Sequence, residues 1–141
     1  MASQFTKAIY DKLAGITAIT DRLSTYEGRP AIFTQKEVPG QAETPWIHTW
    51  GHVDIRPFDT KTSNGRTADR DLTVADEDKG SSKAVEEIAE LVRDNLHESS
   101  LTIPGYEDPW NIEADGPRSF DVDDKNLDIR VVSLNFTAME V

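Results

Sequence analysis

The chain has no cysteine among its 141 residues. A disulfide framework, a thiolate nucleophile and a zinc site built on sulfur ligands are therefore excluded. Long apolar runs are also missing, because no window approaches the length needed to span a bilayer. Residues 1–15 lack the apolar stretch of a secretory signal. These features predict a soluble intracellular protein that has no membrane partner.

Basic residues are the minority charge, with 15 Lys and Arg against 26 Asp and Glu, and the net charge is −11. Unaided binding to DNA or RNA needs an electropositive surface, so this charge argues against it. An acidic surface suits a protein that nucleic acid must pass without sticking, or simply a very soluble protein. Apolar residues make up only 37%. They fall in periodic runs, so we expect one folded domain over residues 1–141.

Local catalytic motifs are absent, including the Gly-x-Ser-x-Gly, Walker-type and dinucleotide-binding patterns. A Ser/His/Asp triad converges only in space, so the sequence alone does not exclude one. The acidic run Asp121, Asp123 and Asp124 resembles a calcium loop. However, Lys125 and Asn126 stand where such a loop needs its third ligand and its glycine. We interpret this run as a solvated turn.

A second acidic group combines residues 76–78 with Glu86, Glu87 and Glu90. It lacks the nearby histidine, lysine or phosphate-cradling glycine loop that acid–base or metal chemistry usually needs. We interpret it as a charged helix face beside a charged loop. The sequence therefore predicts no catalytic residue, no metal ligand and no cofactor.

The stretch from Pro45 to Ile55 reads PWIHTWGHVDI and is typical of a strand. Its alternating side chains put Ile47, Thr49, Val53 and Ile55 on one face and Trp46, His48, Trp50 and His52 on the other. Neither face is polar, although a strand with one solvated side should have a polar face. We predict that the first face packs in the core and that the second contacts a partner, such as another protein chain.

The two histidines of that strand are poor candidates for one metal site. His48 and His52 are four residues apart, which on a strand separates them by about 13 Å. We interpret them as packed or interfacial side chains. Trp110 suits either a core or an interface, since large aromatic residues are enriched in both.

The remaining patterns predict an α+β fold, with one long and one or two short helices on a mostly antiparallel sheet. The predicted elements are a helix from Ser3 to Leu13 with a short continuation to Leu23, strands at 31–34 and 45–55, a polar hairpin projecting at about 56–70 with a return strand at 67–75, a helix from Lys83 to His97 capped by Ser81 or Ser82, and strands at 118–122 and 127–139. In the last strand the apolar phase changes at Val131-Val132. A β-bulge there would explain the change, and the alternative is a strand buried first on one side and then on both.

In order and pattern, the chain resembles the small tail-completion, or tail-terminator, proteins of long-tailed phages and gene-transfer particles. The resemblance covers most of the chain. It rests on the N-terminal helix, the strand at 31–34, the Val38-Pro39 loop, the strand opened by Pro45-Trp46-Ile47, the polar hairpin, the helix that follows Gly80-Ser81-Ser82, and the closing strand RVVSLNFTAMEV.

The resemblance implies a homo-oligomeric ring, typically hexameric, at the head-proximal end of the virion tail. Such a ring is assembled in the host cytoplasm, contacts the tail-tube protein and the head connector, and lets DNA pass through its lumen without specific binding. The implied interface residues are Trp46, His48, Trp50 and His52 on the aromatic strand, with Asn64 and Arg66 at the hairpin. An acidic binding module, such as a nucleic-acid mimic or an inhibitor of a basic protein, is the alternative function. A small hydrolase or metal enzyme is a third.

Overall fold

The computed structural model describes residues 2–49, 53–60, 64–77, 82–119 and 127–141. The helices are α1 (Ala2–Ala14), α2 (Thr17–Thr20) and α3 (Lys83–Leu96). The strands are β1 (Thr25–Tyr26), β2 (Arg29–Pro30), β3 (Ile32–Phe33), β4 (Trp46–His48), β5 (Val53–Pro57), β6 (Gly65–Glu77), β7 (Trp110–Ser119) and β8 (Leu127–Met139). Within these ranges, no helix is both long and apolar enough to cross a membrane.

One mostly antiparallel sheet organises the fold in the order β3-β4-β6-β8-β7, and the predicted α+β class is confirmed. Its centre is the pair β6–β8, which stays in antiparallel register from Gly65↔Met139 to Glu77↔Leu127. Strand β5 pairs with β6 beyond the end of β4, while β3 lies parallel to β4 at the edge. β1 and β2 form a separate small hairpin.

The helices cover one face of this sheet and form the main core with it. Helix α3 buries an apolar stripe there, and α1 adds a second stripe. Phe5 of α1 packs against Phe136 of β8 and against Tyr106, with ring centroids 5.3 Å apart in both pairs. The buried members of the two stripes are Phe5, Ala8, Ile9 and Leu13 of α1 and Val85, Ile88, Ala89, Val92 and Leu96 of α3.

A second, smaller core lies on the opposite face, where residues 26–45 cover one end of the sheet. Its buried members are Ala31, Phe33, Trp46, Ala75, Ile129 and Val131. The predicted bulge in the last strand is wrong, because β8 keeps an unbroken register with β6. Ile129 and Val131 instead face the second core, whereas Val132 and Leu134 face the main core. The apolar phase changes because each face of β8 has its own core.

The predicted single strand from Pro45 to Ile55 is two strands. His48 pairs with Thr73 and Val53 pairs with Arg70, so four chain positions separate the two pairs on this side and only two separate them on β6. This extra length is even, so Ile47 and Ile55 still face the main core, as predicted. Thr49 turns inward between them, and its hydroxyl donates to the Phe33 carbonyl at 3.2 Å.

Strand β7 is longer and starts earlier than the predicted strand at 118–122, of which residues 120–122 lie outside the described ranges. Its register with β8 shifts between Trp110 and Glu113 and again between Asp115 and Arg118. Gly116 lies in the second shift with a φ of 110°, and a Cβ there would meet the Val131 carbonyl oxygen at 2.8 Å. Only glycine avoids both problems.

Candidate assembly surfaces

Trp46, the first predicted interface residue, is a core residue of its own chain. It is only 9% exposed and packs in the second core with Phe33 and Ile129. The prediction that its indole faces another chain therefore has to be corrected. The polypeptide at 26–45 covers this face of the strand, which the strand's own alternation could not reveal. Trp50 and His52 lie outside the described residues.

His48 lies at the margin of the second core and is half-buried. Its Nε2 lies 2.7 Å from the Gln35 carbonyl oxygen, which can only accept, so this nitrogen carries the proton. The imidazole also makes an edge contact with the Trp46 ring, at a centroid distance of 6.4 Å. His48 therefore orders the loop after β3 and keeps only part of its surface for a partner.

Asn64 and Arg66 meet at one end of the sheet, which we call the hairpin end and define by Phe58, Asn64, Arg66, Glu140 and Val141. The backbone closes this end, since Phe58 N–H donates to the Gly65 carbonyl and Glu140 N–H donates to the Asn64 carbonyl. Phe58 is 40% exposed and Val141 is 91% exposed, and they are the large apolar side chains most open to solvent among the described residues.

Charges surround this exposed apolar surface. The Arg66 guanidinium lies 3.8 Å from the Asp59 carboxylate and 3.9 Å from the Glu140 carboxylate. Burial, followed by the negative charge of Glu140, raises the pKa of Tyr106, and the positive charge of Arg66 partly opposes this. An apolar side chain within a polar rim is the usual composition of a protein-binding surface.

A second surface is the part of the sheet that residues 26–45 leave uncovered. We call it the open sheet face. Polar side chains from three strands line up there in two rows, because β6, β8 and β7 are in register: Asp69–Asn135–Glu113 and Asp71–Ser133–Asp115. These residues line a shallow cavity of 420 Å³.

Hydrogen bonds connect the rows of the open sheet face. Asn135 donates its amide N–H to Asp69. Ser133 donates to Asp71 at 2.7 Å and accepts from Arg118 at 2.7 Å. The middle strand of each row is neutral, which separates the carboxylates on either side and lowers their repulsion. Arg56 pairs with Asp69 at 2.9 Å and Arg118 lies 3.9 Å from Asp71, so four carboxylates meet two arginines and the face keeps a net negative charge.

Sequence reasoning did not find the open sheet face or Phe58. The sequence signal for the open sheet face was the alternation of polar residues in β6 and β8, which indicates one solvent-exposed face on each strand. Their alignment into rows depends on a register that no single strand shows. For Phe58, the position immediately after Pro57 at the hairpin was the only signal.

Of the acidic residues considered as metal ligands, two form bonds with arginine side chains, and one run lies outside the described residues. Glu86 bonds to Arg130, and Glu87 pairs with Arg22 at 3.0 Å. The run at 121–126 lies outside the described residues. In the described part of the chain, no group of three or more histidine, aspartate and glutamate side chains could hold a metal ion.

Arg130 fastens the start of α3 to β8. Its guanidinium donates to Glu86 and, at 2.6 Å, to Asp128. Ser82 was a predicted helix cap, but its hydroxyl donates to Asp128 at 2.6 Å and caps no backbone group. Ser81 lies outside the described residues. The hydrogen bond from Ser82, and then the bond from Arg130, outweigh burial and hold the pKa of Asp128 below its ordinary value.

The sequence of this chain matches a known protein family, and its fold matches that of a known protein. Residues 7–140 match the family described as "Tail completion protein gp17". A chain in the solved virion of a native gene transfer agent (GTA) particle has the same fold, with a TM-score of 0.75 and 19% sequence identity. That match covers 99% of this chain and 96% of the other. No curated protein matches the chain by sequence. The chain therefore belongs to the tail completion protein gp17 family, and it is a structural protein of the phage tail.

Proposed function

We propose that the protein forms a homo-oligomeric ring of six subunits, by analogy with its family, that closes the head-proximal end of the tail tube. The family match over residues 7–140 carries this proposal. The gene transfer agent chain supports it, since the same fold is used inside a virion. On this proposal the ring is assembled in the host cytoplasm and presents its other side to the head connector.

The hairpin end is the surface that we assign to the tail-tube protein. Phe58 supplies an exposed apolar group there, and Arg66 and Glu140 supply charges on its rim. Aromatic side chains surrounded by polar groups often contribute most of the binding energy of an interface. A hairpin that projects at about 56–70, as the sequence predicts, would place this surface away from the helices.

The open sheet face is the surface that we assign to the channel. Its four carboxylates, two of them paired with arginines, leave a net negative charge that repels the phosphates of passing DNA and keeps the DNA mobile. An image of the ring in which this face packs against a neighbouring subunit would contradict the assignment.

The test is a capping experiment with purified tail-tube protein. We expect the wild-type protein to give an oligomeric mass by light scattering and to stop tube growth, which electron microscopy measures as shorter tubes. Phe58→Ser should weaken capping about three- to eightfold, since full burial of an aromatic side chain contributes about 1.5–3 kcal/mol and only the 40% of Phe58 that is exposed remains to be buried. Its unfolding temperature should fall only slightly, because Phe58 is one of the large apolar side chains most open to solvent among the described residues.

Glu90→Ser is the matched control, since Glu90 is exposed on α3, away from the hairpin end. It should cap as well as the wild type. A protein that stays monomeric at every concentration, with or without tube protein, would refute the ring. An oligomer that Phe58→Ser leaves fully able to cap would refute only the role of the hairpin end.

A further inference from the structure

A groove of 920 Å³ runs between α1 and the outer side of β3. Its walls combine apolar and polar side chains, and the residues used in the argument below are Thr6, Tyr26, Glu27, Arg29, Phe33 and Thr34. Neither the second core nor the main core fills this space. The groove is distinct from both the hairpin end and the open sheet face.

The floor of the groove contains an open strand edge. The carbonyls of Ala31 and Phe33 accept hydrogen bonds at 2.9 Å from the β4 side. Because backbone groups alternate along a strand, Ile32 and Thr34 direct their N–H and C=O groups into the groove. Within the described residues, no hydrogen bond uses these outward groups.

The other edges of the sheet are protected in ways that β3 is not. Strand β5 ends in Pro57, which has no N–H to offer, and β7 contains Pro117 and two register shifts. The exposed charged residues Glu113 and Arg118 also guard β7. Proteins use prolines, bulges and charges to keep edges from pairing with other chains. The β3 edge has an open groove beside it instead, which leaves room for strand addition.

Two arginines at or beside the groove have no carboxylate partner among the described residues. Arg29 is exposed at the rim, where the acidic side chain of Glu27 also lines the groove. Thr6 of the groove wall accepts a hydrogen bond from the guanidinium of Arg70, which also donates to the Thr49 carbonyl oxygen at 3.3 Å. Arg70 is 3% exposed, and burial without a counter-charge lowers its pKa. A buried cation without a carboxylate partner is costly, and a nearby anion would offset that cost.

We propose that this groove binds an extended acidic segment of a second copy of the chain, which adds as a short strand to the outer edge of β3. Charge complementarity favours this occupant, because the chain has a net charge of −11, while Arg29 at the rim and Arg70 behind the groove wall have no carboxylate partner among the described residues. The inference rests on the proposed ring. A head-to-tail ring needs two unlike patches on each subunit, and the groove supplies one of them.

The first test removes one outward amide without touching a bond inside the subunit. Thr34→Pro deletes the N–H that faces the groove, and the extended residue before it tolerates proline. Thr34→Val keeps the N–H and is the control. By light scattering over a concentration series, Thr34→Pro should raise the concentration for half-assembly about tenfold, and Thr34→Val less than about twofold. Circular dichroism and thermal unfolding should show both variants folded.

The rim charge has its own matched pair. Arg29→Glu should weaken assembly several-fold. Arg93→Glu makes the same change in net charge on α3, outside the groove, and should leave assembly unchanged. Equal effects of the two variants would mean that net charge alone acts, which would contradict a specific site.

The second test identifies the occupant directly. The chain has no cysteine, so Thr34→Cys provides a single attachment point for a photo-activated cross-linker. With equal amounts of light and ¹⁵N-labelled protein, cross-linked peptides of mixed isotope should join position 34 to an acidic segment of a second copy. If the wild type assembles but position 34 cross-links only within its own chain or only to tube protein, the groove proposal is wrong and the ring remains. A wild type that never assembles and gives no mixed cross-links overturns both.

Discussion

Replacing Arg130 with methionine should destabilise the subunit more than any comparable change of a surface arginine. The Arg130 side chain is 11% exposed and is shared by Glu86 and Asp128, whose side chains are 38% and 18% exposed. Arg130→Met keeps most of the apolar volume but leaves two carboxylates without their cation. The helix start at Ser82 then also loses part of its attachment, since Asp128 is its partner.

The magnitude follows from that burial. Removing one partner of a fully buried ion pair costs about 3–5 kcal/mol. Glu86 is partly solvated and can turn towards water, so leaving it without its cation costs less free energy than it would for a fully buried carboxylate. We therefore expect a loss of about 2–4 kcal/mol near neutral pH, with each hydrogen bond to a charged group contributing about 1.5–3 kcal/mol at most. The measurement is urea unfolding, in which the midpoint should fall while the slope stays constant.

The pH dependence gives a sharper check. The pKa of Asp128 is held below its unfolded value, so its contribution is present above the unfolded pKa and is lost as the pH falls through the lower folded value. In Arg130→Met, Asp128 loses one of the two hydrogen bonds that hold its pKa down, so this contribution is already smaller at neutral pH. The difference between wild type and variant should therefore shrink below about pH 4.

Arg93→Met is the control for Arg130→Met, because Arg93 is 38% exposed and pairs only with its neighbour Asp94. It should change the unfolding free energy by less than about 0.5 kcal/mol. A loss for Arg130→Met no larger than this control, or a loss that stays constant into acid, would refute the electrostatic reasoning.

Two further predictions concern packing. Gly65→Ala would place a Cβ 2.8 Å from the Phe58 carbonyl oxygen and should lower the free energy of unfolding in urea by about 1–3 kcal/mol. Gly40→Ala is the control and should be nearly neutral, because its Cβ meets nothing within 4 Å; equal effects of the two variants would contradict the close approach at Gly65. Phe136→Ala removes a fully buried ring packed on Phe5 and should cost about 3–5 kcal/mol; a loss below about 1 kcal/mol in the same measurement would show that the main core is not centred on this ring.

The sequence predicted a helix or strand well where its own residues mark a buried face or an end of the element. Helix α3 has a single apolar stripe, and β8 begins shortly after a run of acidic residues in the sequence, so both were located closely, β8 at its observed bounds. Strand β6 was also recognised, because Leu72 and Val74 alternate with polar residues and are fully buried.

The wrong sequence predictions concern strands whose two faces are both buried, each in a different core. Trp46 and Ile47 are both buried, each in a different core, and alternation cannot tell a face covered by the chain itself from a face covered by a partner. The same ambiguity produced the wrong bulge in β8. Irregular pairing was missed as well, because the extra residues between His48 and Val53 are visible only against the partner strand.

The assembly surfaces were the least predictable part. Asn64 and Arg66 were placed at a hairpin by their turn sequence, and they do lie at one end of the sheet. Their role in an interface stays a prediction. The groove beside β3 had no sequence signal, because an open edge is defined by which backbone groups lack partners, and side-chain identity does not report that.

The long pairing of β6 with β8 has a consequence for how the subunit is made. These strands are neighbours in the sheet but are separated along the chain by α3 and β7. Contacts between distant segments form slowly, since the intervening loop must be closed first. A chain still on the ribosome has β6 without its partner until residues 127–139 have emerged. The hairpin end also needs Glu140, whose amide bonds to Asn64. Synthesis order therefore delays the surface assigned to the tail tube until the whole sheet can close.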